Sequence, residues 1–340
     1  MPTTVASVRN VDLAREPDLR RWHDAAEAAH RHDRPDAPFG TADEAVLRFR
    51  PDDPEERYLP FVAEDGAGDA VGAGLVTVPL VDNLDKVYVE LSVTPAQRGR
   101  GVGDLLVERA LDLARAHERS VVVATSFLPV GHDQTHPVRR FAERHGFALA
   151  NQEVRRTLLL PLPEETIQGW VDDAAEHHAG YEIVTYLDPV PEELQSSLVE
   201  LLNLLAVDAP TGDIDFEAGG MTVETYRHRA ARVAASGRKV YETVAVRDGA
   251  VVAQSTLSVP PGDDAMPYLN QWGTFVHREH RGHRLGLAVK AAGLLTVQRA
   301  HPERTVVTTT NSPVNAPMVA INELMGFRPV EVMAEFLRRI

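Results

Sequence analysis

Six consecutive residues place glycine at every second position: Arg98, Gly99, Arg100, Gly101, Val102 and Gly103. An apolar run rich in β-branched residues, 87–93, precedes them, and apolar residues at helical spacing follow. The glycines therefore lie where a strand is predicted to turn into a helix. The first N–H groups of a helix have no partner within it, and the helix dipole attracts negative charge there. Because glycine also lets a bulky anion approach the backbone closely, we predict a diphosphate site at this loop.

Two common phosphate-binding patterns do not fit this loop. A nucleotide P-loop requires Gly-x-x-x-x-Gly-Lys-Ser/Thr, and no lysine follows these glycines. A dinucleotide fingerprint requires Gly-x-Gly-x-x-Gly, but Gly101 and Gly103 are followed by Asp104 and the third glycine is absent. The loop instead has the pattern Arg-x-x-Gly-x-Gly after a strand that ends in Val-Thr-Pro.

This pattern resembles motif A of the GNAT superfamily of acetyl-CoA-dependent N-acyltransferases, with Arg98, Gly101 and Gly103 at its three signature positions. The resemblance implies an α/β fold whose central sheet is mixed, mostly antiparallel and flanked by helices. It also implies acetyl-CoA (coenzyme A) as the cofactor, with the diphosphate on the loop and the pantetheine arm beside the preceding strand. The coenzyme-binding residues implied in this copy are Leu91, Ser92, Val93, Arg98, Gly99, Arg100, Gly101, Val102 and Gly103.

The sequence contains an internal repeat. Several residues recur at an offset of 183, among them Tyr58 as Tyr241 and Arg98 as Arg281, and other matches occur at offsets of 172 and 180 in the same order. We therefore predict two tandem GNAT domains, 1–162 and 181–340, joined by an acidic linker, 163–180, that has a possible short helix over 164–177. Each copy is predicted to contain two helices, three strands, a helix, a strand, a helix and a strand.

The second copy of the loop departs from the pattern, because Arg284 stands where the first loop glycine belongs. A Cβ there limits the approach of an anion to the backbone, but arginine and histidine side chains can contact phosphate oxygens themselves. Two asparagines after the next strand resemble those that bond the coenzyme arm in GNAT enzymes. The coenzyme-binding residues predicted in this copy are Val276, Arg281, Gly282, His283, Arg284, Leu285, Gly286, Asn311 and Asn315.

Two polar residues on central strands are the catalytic candidates. Glu90 stands where a core strand normally has an apolar residue, so it is a candidate general base. An acid at this position also fits a residue that faces solvent or pairs with an arginine. In the second copy, Asn270 is a candidate for orienting the acceptor. The resemblance further implies a proton-donating tyrosine four residues before a Gly-Phe pair, but Ala142 and Asn322 occupy those places.

Acidic residues mark the predicted acceptor side. The formal charge of −15 disfavours a nucleic-acid surface and favours cationic partners. Between the first two helices of the second copy, Asp208, Asp213 and Asp215 form a cluster suited to a cationic amine, although such a run is also typical of a solvated loop. These three are the predicted substrate-binding residues.

Composition sets further limits. A length of 340 residues fits two domains, and the absence of cysteine excludes disulfides, thiol catalysis and cysteine-ligated zinc. No apolar run is long enough to span a bilayer and the signal-peptide pattern is absent, so we expect a cytoplasmic protein with no membrane partner. The histidines lack the spacing of a metal site, so no metal is predicted. The oligomeric state is open between monomer and homodimer.

Together these observations predict an N-acetyltransferase that transfers an acetyl group from acetyl-CoA to a primary amine of a small cationic molecule. The amine attacks directly in a ternary complex, as the resemblance implies. Two alternatives stay open at this point. One is a mycothiol-synthase-like enzyme, whose family has a similar tandem organisation, and the other is a non-catalytic acyl-CoA-binding protein of the same fold.

Overall fold

A computed structural model describes residues 5–49, 53–131, 135–208, 210–217, 219–261 and 267–340. The contacts within it divide the chain into two compact units. Unit 1 consists of Met1–Phe127, His132–Asn151 and Ala334–Ile340, and unit 2 consists of Leu128–Gly131 and Gln152–Met333. Unit 1 therefore includes the last residues of the chain. The division into 1–162 and 181–340 stays a prediction about where the sequence repeat begins and ends.

Apart from its first strand, the first half of the chain follows the predicted order of two helices, three strands, a helix, a strand, a helix and a strand. Its elements are β1 Val5–Asn10, α1 Glu16–Asp33, α2 Ala42–Phe49, β2 Glu56–Asp65, β3 Ala70–Pro79, β4 Lys86–Val93, a 3₁₀ turn Pro95–Gln97, α3 Val102–Ala116, β5 Val121–Pro129, α4 Pro137–Arg144 and β6 Ala148–Leu159. In unit 1 the strand order is β1-β2-β3-β4-β5, antiparallel except for the parallel pair β4 and β5.

The second half repeats this order after one additional helix. Its elements are α5 Glu164–Ala175, β7 Glu182–Leu187, α6 Glu192–Asp208, α7 Val223–Ala235, β8 Lys239–Arg247, β9 Ala250–Val259, β10 Tyr268–Val276, a 3₁₀ turn Arg278–His280, α8 Leu285–Ala300, β11 Val306–Asn311, α9 Ala316–Leu324 and β12 Arg328–Arg339. In unit 2 the strand order is β6-β11-β10-β9-β8-β7, again with one parallel pair, β10 and β11. The mixed, mostly antiparallel α/β fold and its duplication are confirmed.

Each half begins with a strand that the sequence analysis missed. β1 pairs with β2, and β7 pairs with β8, both antiparallel. Conversely, the helix predicted in the linker is present as α5, and one side of it is buried. Ile167 and Ala174 lie in the same apolar cluster as Leu294 of α8, and Gln298 exchanges two hydrogen bonds of 2.9 Å with the backbone of Leu162. This segment is therefore packed on unit 2. None of the described helices is long and apolar enough to cross a membrane.

The two faces of each sheet are covered by different helices. In unit 1, α1 and α2 cover one face through a cluster that includes Leu19, Trp22, Phe49, Tyr58, Val62 and Leu75, and we call this the α1 face. Its counterpart in unit 2 is covered by α6 and α7 through Leu198, Tyr226, Val244 and Phe275, and we call it the α6 face. α3 and α8 contact the opposite faces of their sheets.

One element of the sequence repeat is shifted in three dimensions. Tyr58 packs on the α1 face, whereas Tyr241 lies on the face opposite the α6 face, where its hydroxyl bonds His301 Nε2 at 3.0 Å. Successive residues of a strand point to opposite faces. The offset of 183 that relates these two tyrosines is therefore wrong by one residue for β2 and β8.

Gly74 is required by the packing of β3 against β2. A Cβ placed on it would overlap the ring of Phe61, which is fully buried. Its carbonyl also accepts a hydrogen bond of 2.8 Å from Trp22 Nε1 on α1. We expect Gly74→Ala to lower the free energy of unfolding by about 1–3 kcal/mol through overpacking, as measured by urea unfolding.

Gly169→Ala is the matched control for Gly74→Ala. Gly169 lies on α5 with no atom within 4 Å of its Cβ position, so alanine there should raise stability by about 0.5–1 kcal/mol. The double change Gly74→Ala with Phe61→Leu should recover part of the loss. Equal effects at both glycines would contradict the packing assignment.

Candidate functional site

The predicted diphosphate loop of unit 1 is open on the side where an anion would bind. β4 ends at Val93, and α3 begins at Val102 after Gly101, which has φ of 85° and no side-chain cap. Among the residues that the structure describes, none has an atom within 4 Å of the Cβ position of Gly99, and Asp104 Oδ2 lies 4.0 Å from that of Gly101. Gly101 is thus in the left-handed conformation that side chains disfavour. The first N–H groups of α3 are available to an anion.

Gly103 has a different physical reason for being glycine. Its Cβ position lies 3.0 Å from Cε2 and Cζ of Phe141 on α4. Gly286, its counterpart in unit 2, has Ile321 Cδ1 of α9 at 3.1 Å in the same place. In both copies this glycine allows the helix after the loop to pack closely on the next helix, so its place in the motif is explained by packing.

The signature arginine of each loop is bound within the protein. Arg98 Nη1 and Nη2 donate to both carboxylate oxygens of Asp33 at 2.8 Å, and its Nε donates to the carbonyl of Val93 at 3.1 Å. Its geometry is therefore that of a bidentate clamp between the loop and the end of α1. Arg100 is exposed and, among the described residues, has no hydrogen-bond or ion-pair partner.

Unit 2 repeats this clamp. Arg281 Nη2 donates to Asp208 at 3.1 Å, its Nε donates to the carbonyl of Val276 at 3.3 Å, and Arg278 also bonds Asp208, at 2.7 Å. Asp208, predicted to bind substrate, is thus paired with a residue predicted to bind coenzyme. Asp213 and Asp215 lie exposed in the segment after α6, and no contact within the described part of the chain joins them to this pair.

The second loop keeps the backbone shape of the first despite Arg284. This residue precedes α8 with φ of 52°, the left-handed conformation that Gly101 has before α3. Its side chain bonds Asp173 of α5, and His283 Nδ1 lies 3.3 Å from the carbonyl of His177. Gly282 has φ of 87°, and no described residue beyond its chain neighbours comes within 4 Å of its Cβ position. The open backbone is therefore retained, while the side chains beside it are engaged by the segment that includes α5.

The pairing of β4 with β5 ends before either strand does. Parallel pairs run from Lys86–Val121 to Val89–Ala124, whereas β3 stays paired with β4 as far as Val93. Within the described residues, 90–93 therefore has one edge without a strand partner. An extended chain can bond such an edge as an added strand would. The predicted pantetheine-binding residues Leu91, Ser92 and Val93 lie here, directly before the loop.

Unit 2 has the same opening, with a β-bulge added. The pairs of β10 with β11 end at Asn270–Thr308, although β10 continues to Val276. The register of β10 on β9 shifts between Gln271 and Thr274, so Trp272 and Gly273 together lie opposite one residue of β9. A bulge re-aims side chains locally. Trp272 is 61% exposed at this point.

The two catalytic candidates lie on equivalent faces. Glu90 is exposed and is paired in register with Leu75, so it lies on the α1 face. Asn270 is half-buried and is paired with Ser258, which places it on the α6 face. The predicted coenzyme asparagines have internal partners. Asn311 Oδ1 accepts from Arg156 at 2.8 Å and from Asn322 at 3.0 Å, and Asn315 caps α9 by accepting from the Met318 N–H at 3.3 Å.

A buried polar group on the α6 face was missed from the sequence. Glu242 of β8 is 4% exposed, and burial raises the pKa of its carboxyl to about 8. Thr256 Oγ1 lies 2.9 Å from Glu242 Oε2 and 3.1 Å from Oε1 of Gln254, which is 0% exposed. The signal that singled out Glu90, an acid in an apolar strand, was equally present at Glu242.

Comparisons with known proteins agree with this geometry. Residues 19–147 match the model of the acetyltransferase (GNAT) family. No curated protein matches the sequence. A tandem GNAT protein from the clavulanic acid biosynthesis pathway is 26% identical with a TM-score of 0.76, and the match covers 98% of each chain. A GCN5-related N-acetyltransferase from Sphaerobacter thermophilus is 17% identical with a TM-score of 0.66, over 98% of this chain and 95% of that one. The fold therefore extends over both halves of the chain.

Proposed function

We propose that this chain, which has a GNAT acetyltransferase domain in residues 19–147 and the fold of two such domains in tandem, transfers an acetyl group from acetyl-CoA to a primary amine of a small molecule. We further propose that the acceptor is cationic, in keeping with the formal charge of −15. The transfer takes place by direct attack within a ternary complex, with no acyl group on the protein.

The observation that supports this most is the combination of an open strand edge with an open helix start. In unit 1 the edge at 90–93, which is unpaired among the described residues, leads to the loop. There no described atom lies within 4 Å of the Cβ position of Gly99, and Asp104 Oδ2 lies 4.0 Å from that of Gly101. The backbone of Leu91, Ser92 and Val93 would bond the pantetheine arm, and the N–H groups after Gly101 would bond the diphosphate. Acetyl-CoA bound there would supply an activated acetyl thioester. The residues present therefore fit this coenzyme.

The protein itself contributes positioning, a polarising group and a proton acceptor. A backbone N–H at the edge of β4 would stabilise the oxygen of the thioester carbonyl as negative charge develops on it. Glu90, exposed on the α1 face two positions before Ser92, is our candidate acceptor of the ammonium proton in unit 1. In such a complex the C–N bond would form as the C–S bond breaks, and the second proton of the amine nitrogen would pass through water to the leaving thiolate.

Gly101→Glu tests the proposed coenzyme site. The change adds a Cβ and a negative charge at the helix start, so we expect acetyl-CoA affinity at this loop to fall about 100-fold or more. Calorimetric titration of the full chain measures the binding. Thiol release from acetyl-CoA, measured with and without a panel of primary amines, measures the transfer.

Gly68→Glu is the matched control for Gly101→Glu. Gly68 has φ of 86° and no atom within 4 Å of its Cβ position, in the turn between β2 and β3. It therefore reproduces the backbone strain and the added charge away from the loop. Unaltered coenzyme binding in Gly101→Glu, or equal losses in both variants, would contradict the proposal.

A non-catalytic acyl-CoA-binding protein is the second candidate. It is favoured by positions 142 and 322, where a buried alanine and a fully buried asparagine replace a proton-donating tyrosine. In that case coenzyme binding would be tight and sensitive to Gly101→Glu, but no amine would accelerate thiol release. The same two measurements therefore separate the candidates.

A further inference from the structure

Glu242, Thr256 and Gln254 form one polar group within the apolar α6 face of unit 2. Glu242 on β8 is paired in register with Thr256 on β9, and Gln254 lies two residues before Thr256 on the same face. The Thr256 hydroxyl lies within hydrogen-bond distance of both other side chains. The three side chains therefore meet at a single hydroxyl group. Nothing in the acyl-transfer scheme for unit 1 uses them.

Two atoms of this group are buried without a partner. Among the described residues, neither Glu242 Oε1 nor Gln254 Nε2 has a hydrogen-bond partner. A buried polar atom left unbonded costs about 1–3 kcal/mol, so nearly all such atoms in folded proteins are bonded. One atom is an acceptor or acidic oxygen and the other is an amide donor. Together they are complementary to a ligand that has both a donor and an acceptor.

The group adjoins the place where β10 leaves β11. Gln254 Nε2 lies 3.6 Å from the Cβ position of Gly273, in the bulge of β10. Thr256 is the residue of β9 that the bulge faces in register. This is the counterpart of the strand opening in unit 1 at which the thioester is proposed to lie. The unpartnered atoms are therefore next to a possible reaction centre.

The fold does not require polar side chains at these positions. Val93 of unit 1 and Val276 of unit 2 are equivalent, since each gives its carbonyl to the loop arginine, and they pair with Gly72 and Ala253. The register of β2 on β3 can then be compared with that of β8 on β9. The unit 1 counterparts of Glu242, Gln254 and Thr256 are Pro60, Ala73 and Leu75, in that order. All three are buried and apolar. The polar group is specific to unit 2.

We propose that unit 2, in addition to unit 1, binds an amine-bearing acceptor, and that it does so on its α6 face, with the amine on Glu242 Oε1 and a neighbouring hydroxyl or carbonyl oxygen on Gln254 Nε2. The ligand class is therefore a primary amine with an adjacent oxygen, such as an amino alcohol or an amino amide. The description of this site as an acceptor site rests on the proposed acetyl transfer. The binding of an amine at Glu242 and Gln254 does not depend on that proposal.

Because Glu242 is protonated at pH 7, the binding of an amine there should release a proton that can be measured. Burial raises the pKa of this carboxyl to about 8, so it is mostly protonated at pH 7. The charge of Asp188, which accepts a hydrogen bond from the Tyr226 hydroxyl, raises that pKa further. If an ammonium ion binds, the carboxyl ionises to form a neutral pair. If a neutral amine binds, the amine gives up its own proton first. In either case about one proton is released to the buffer at pH 7.

The test is titration of the full chain with ethanolamine at pH 7, with and without saturating coenzyme A. It is run in PIPES and in ACES, because buffers that differ in ionisation enthalpy reveal proton release. We expect saturable binding with release of about one proton. Glu242→Gln should weaken binding roughly 10-fold or more, and Gln254→Leu should weaken binding by a similar factor. Propylamine and ethylene glycol, which each lack one of the two groups, should bind more weakly than ethanolamine.

Glu200→Gln, at an exposed position of α6, is the control for loss of one negative charge and should bind ethanolamine like the parent chain. The inference would be overturned if ethanolamine gave no saturable heat either with or without coenzyme A. It would also be overturned if a crystal of the ethanolamine-soaked protein held only an ordered internal water between Glu242 and Gln254. Unaltered binding in Glu242→Gln would also overturn it. These outcomes are independent of Gly101→Glu, so the acceptor site and the coenzyme site can fail separately.

Discussion

Lys290→Met is expected to make unit 2 more stable by roughly 3–5 kcal/mol at pH 7 and below. Lys290 lies on α8, is 1% exposed, and has the ring centroid of Phe327 5.2 Å from its Nζ. Burial lowers the pKa of its amine from an ordinary 10.5 to about 7. Each tenfold loss of proton affinity corresponds to about 1.4 kcal/mol, and the contact of this desolvated amine with the ring offsets about 2 kcal/mol.

The pH dependence identifies the cause. Between pH 7 and 10.5 the unfolded chain binds a proton at this lysine that the folded chain has lost, so the free energy of unfolding rises with pH across this window. Below pH 7 both states are protonated and the folded state bears the full cost. Methionine has a similar length and no titratable group. The variant should therefore lack this rise.

Urea unfolding followed by tryptophan fluorescence measures the effect, since Trp170 of α5 packs on the same apolar cluster as α8. Lys290→Arg is the informative companion, because it keeps a charge that cannot be lost and should be less stable than the parent chain at every pH. A methionine variant that is no more stable than the parent at pH 6 would show that the ammonium group is solvated in the folded state.

The features that the sequence predicts correctly have local physical causes. The strand, loop and helix around Gly101 follow from β-branched residues, closely spaced glycines and helical periodicity, all within about 30 residues. The helix over α5 follows from its own periodicity in the same way. The second copy was found because Arg281 and its neighbours repeat those signals at a fixed offset.

The features that were missed depend on residues far apart in the chain. The ion pair between Arg98 and Asp33 joins residues 65 positions apart, and no local pattern indicates that contact. Coenzyme binding by Arg98 stays a prediction. β1 and β7 are short, and they exist because β2 and β8 offer edges to pair with. Tyr58 and Tyr241 show the same limit, since a shift of one residue in a strand changes the face without changing the pattern.

Glu242 was overlooked for a related reason. Its burial results from the packing of α6 and α7 on the sheet, which a strand pattern does not reveal. An acid in an apolar strand has two outcomes, and this chain contains both. Glu90 is exposed on its strand, while Glu242 is enclosed. An acid in an apolar strand indicates a position with a special environment. The packing of helices on the sheet determines whether its carboxyl is exposed or buried.

The free energy of unfolding of the parent chain is expected to fall with rising pH because of Glu242, and Glu242→Gln is expected to remove this fall. Burial raises the pKa of this carboxyl from an ordinary 4.5 to about 8. Between these values the folded chain keeps a proton that the unfolded chain has released, so the free energy of unfolding falls as pH rises. The loss is absent below pH 4.5 and reaches roughly 5 kcal/mol above pH 8, at about 1.4 kcal/mol for each tenfold change in proton affinity.

Glutamine has the same shape, still accepts the Thr256 hydroxyl bond and does not ionise, so the stability of this variant should not fall across that window. The difference between variant and parent should therefore grow from pH 4.5 to 8 in urea unfolding. Glu200→Gln, which is exposed, should change stability by about 0.5 kcal/mol or less. A constant difference across the whole pH range would show that Glu242 stays ionised in the folded chain.

Glu242 and Lys290 act in opposite pH directions on opposite faces of one sheet. Glu242 lowers the free energy of unfolding as the pH rises to 8, and Lys290 raises it between pH 7 and 10.5. These two groups together therefore give a minimum in stability near pH 7–8. Most proteins instead have maximal stability between about pH 5 and 8. Because the two side chains have no common partner among the described residues, their effects should add in the double variant Glu242→Gln with Lys290→Met, and the minimum should disappear. If it persists, other buried groups produce it, and a bound amine at Glu242 would no longer be expected to shift the minimum.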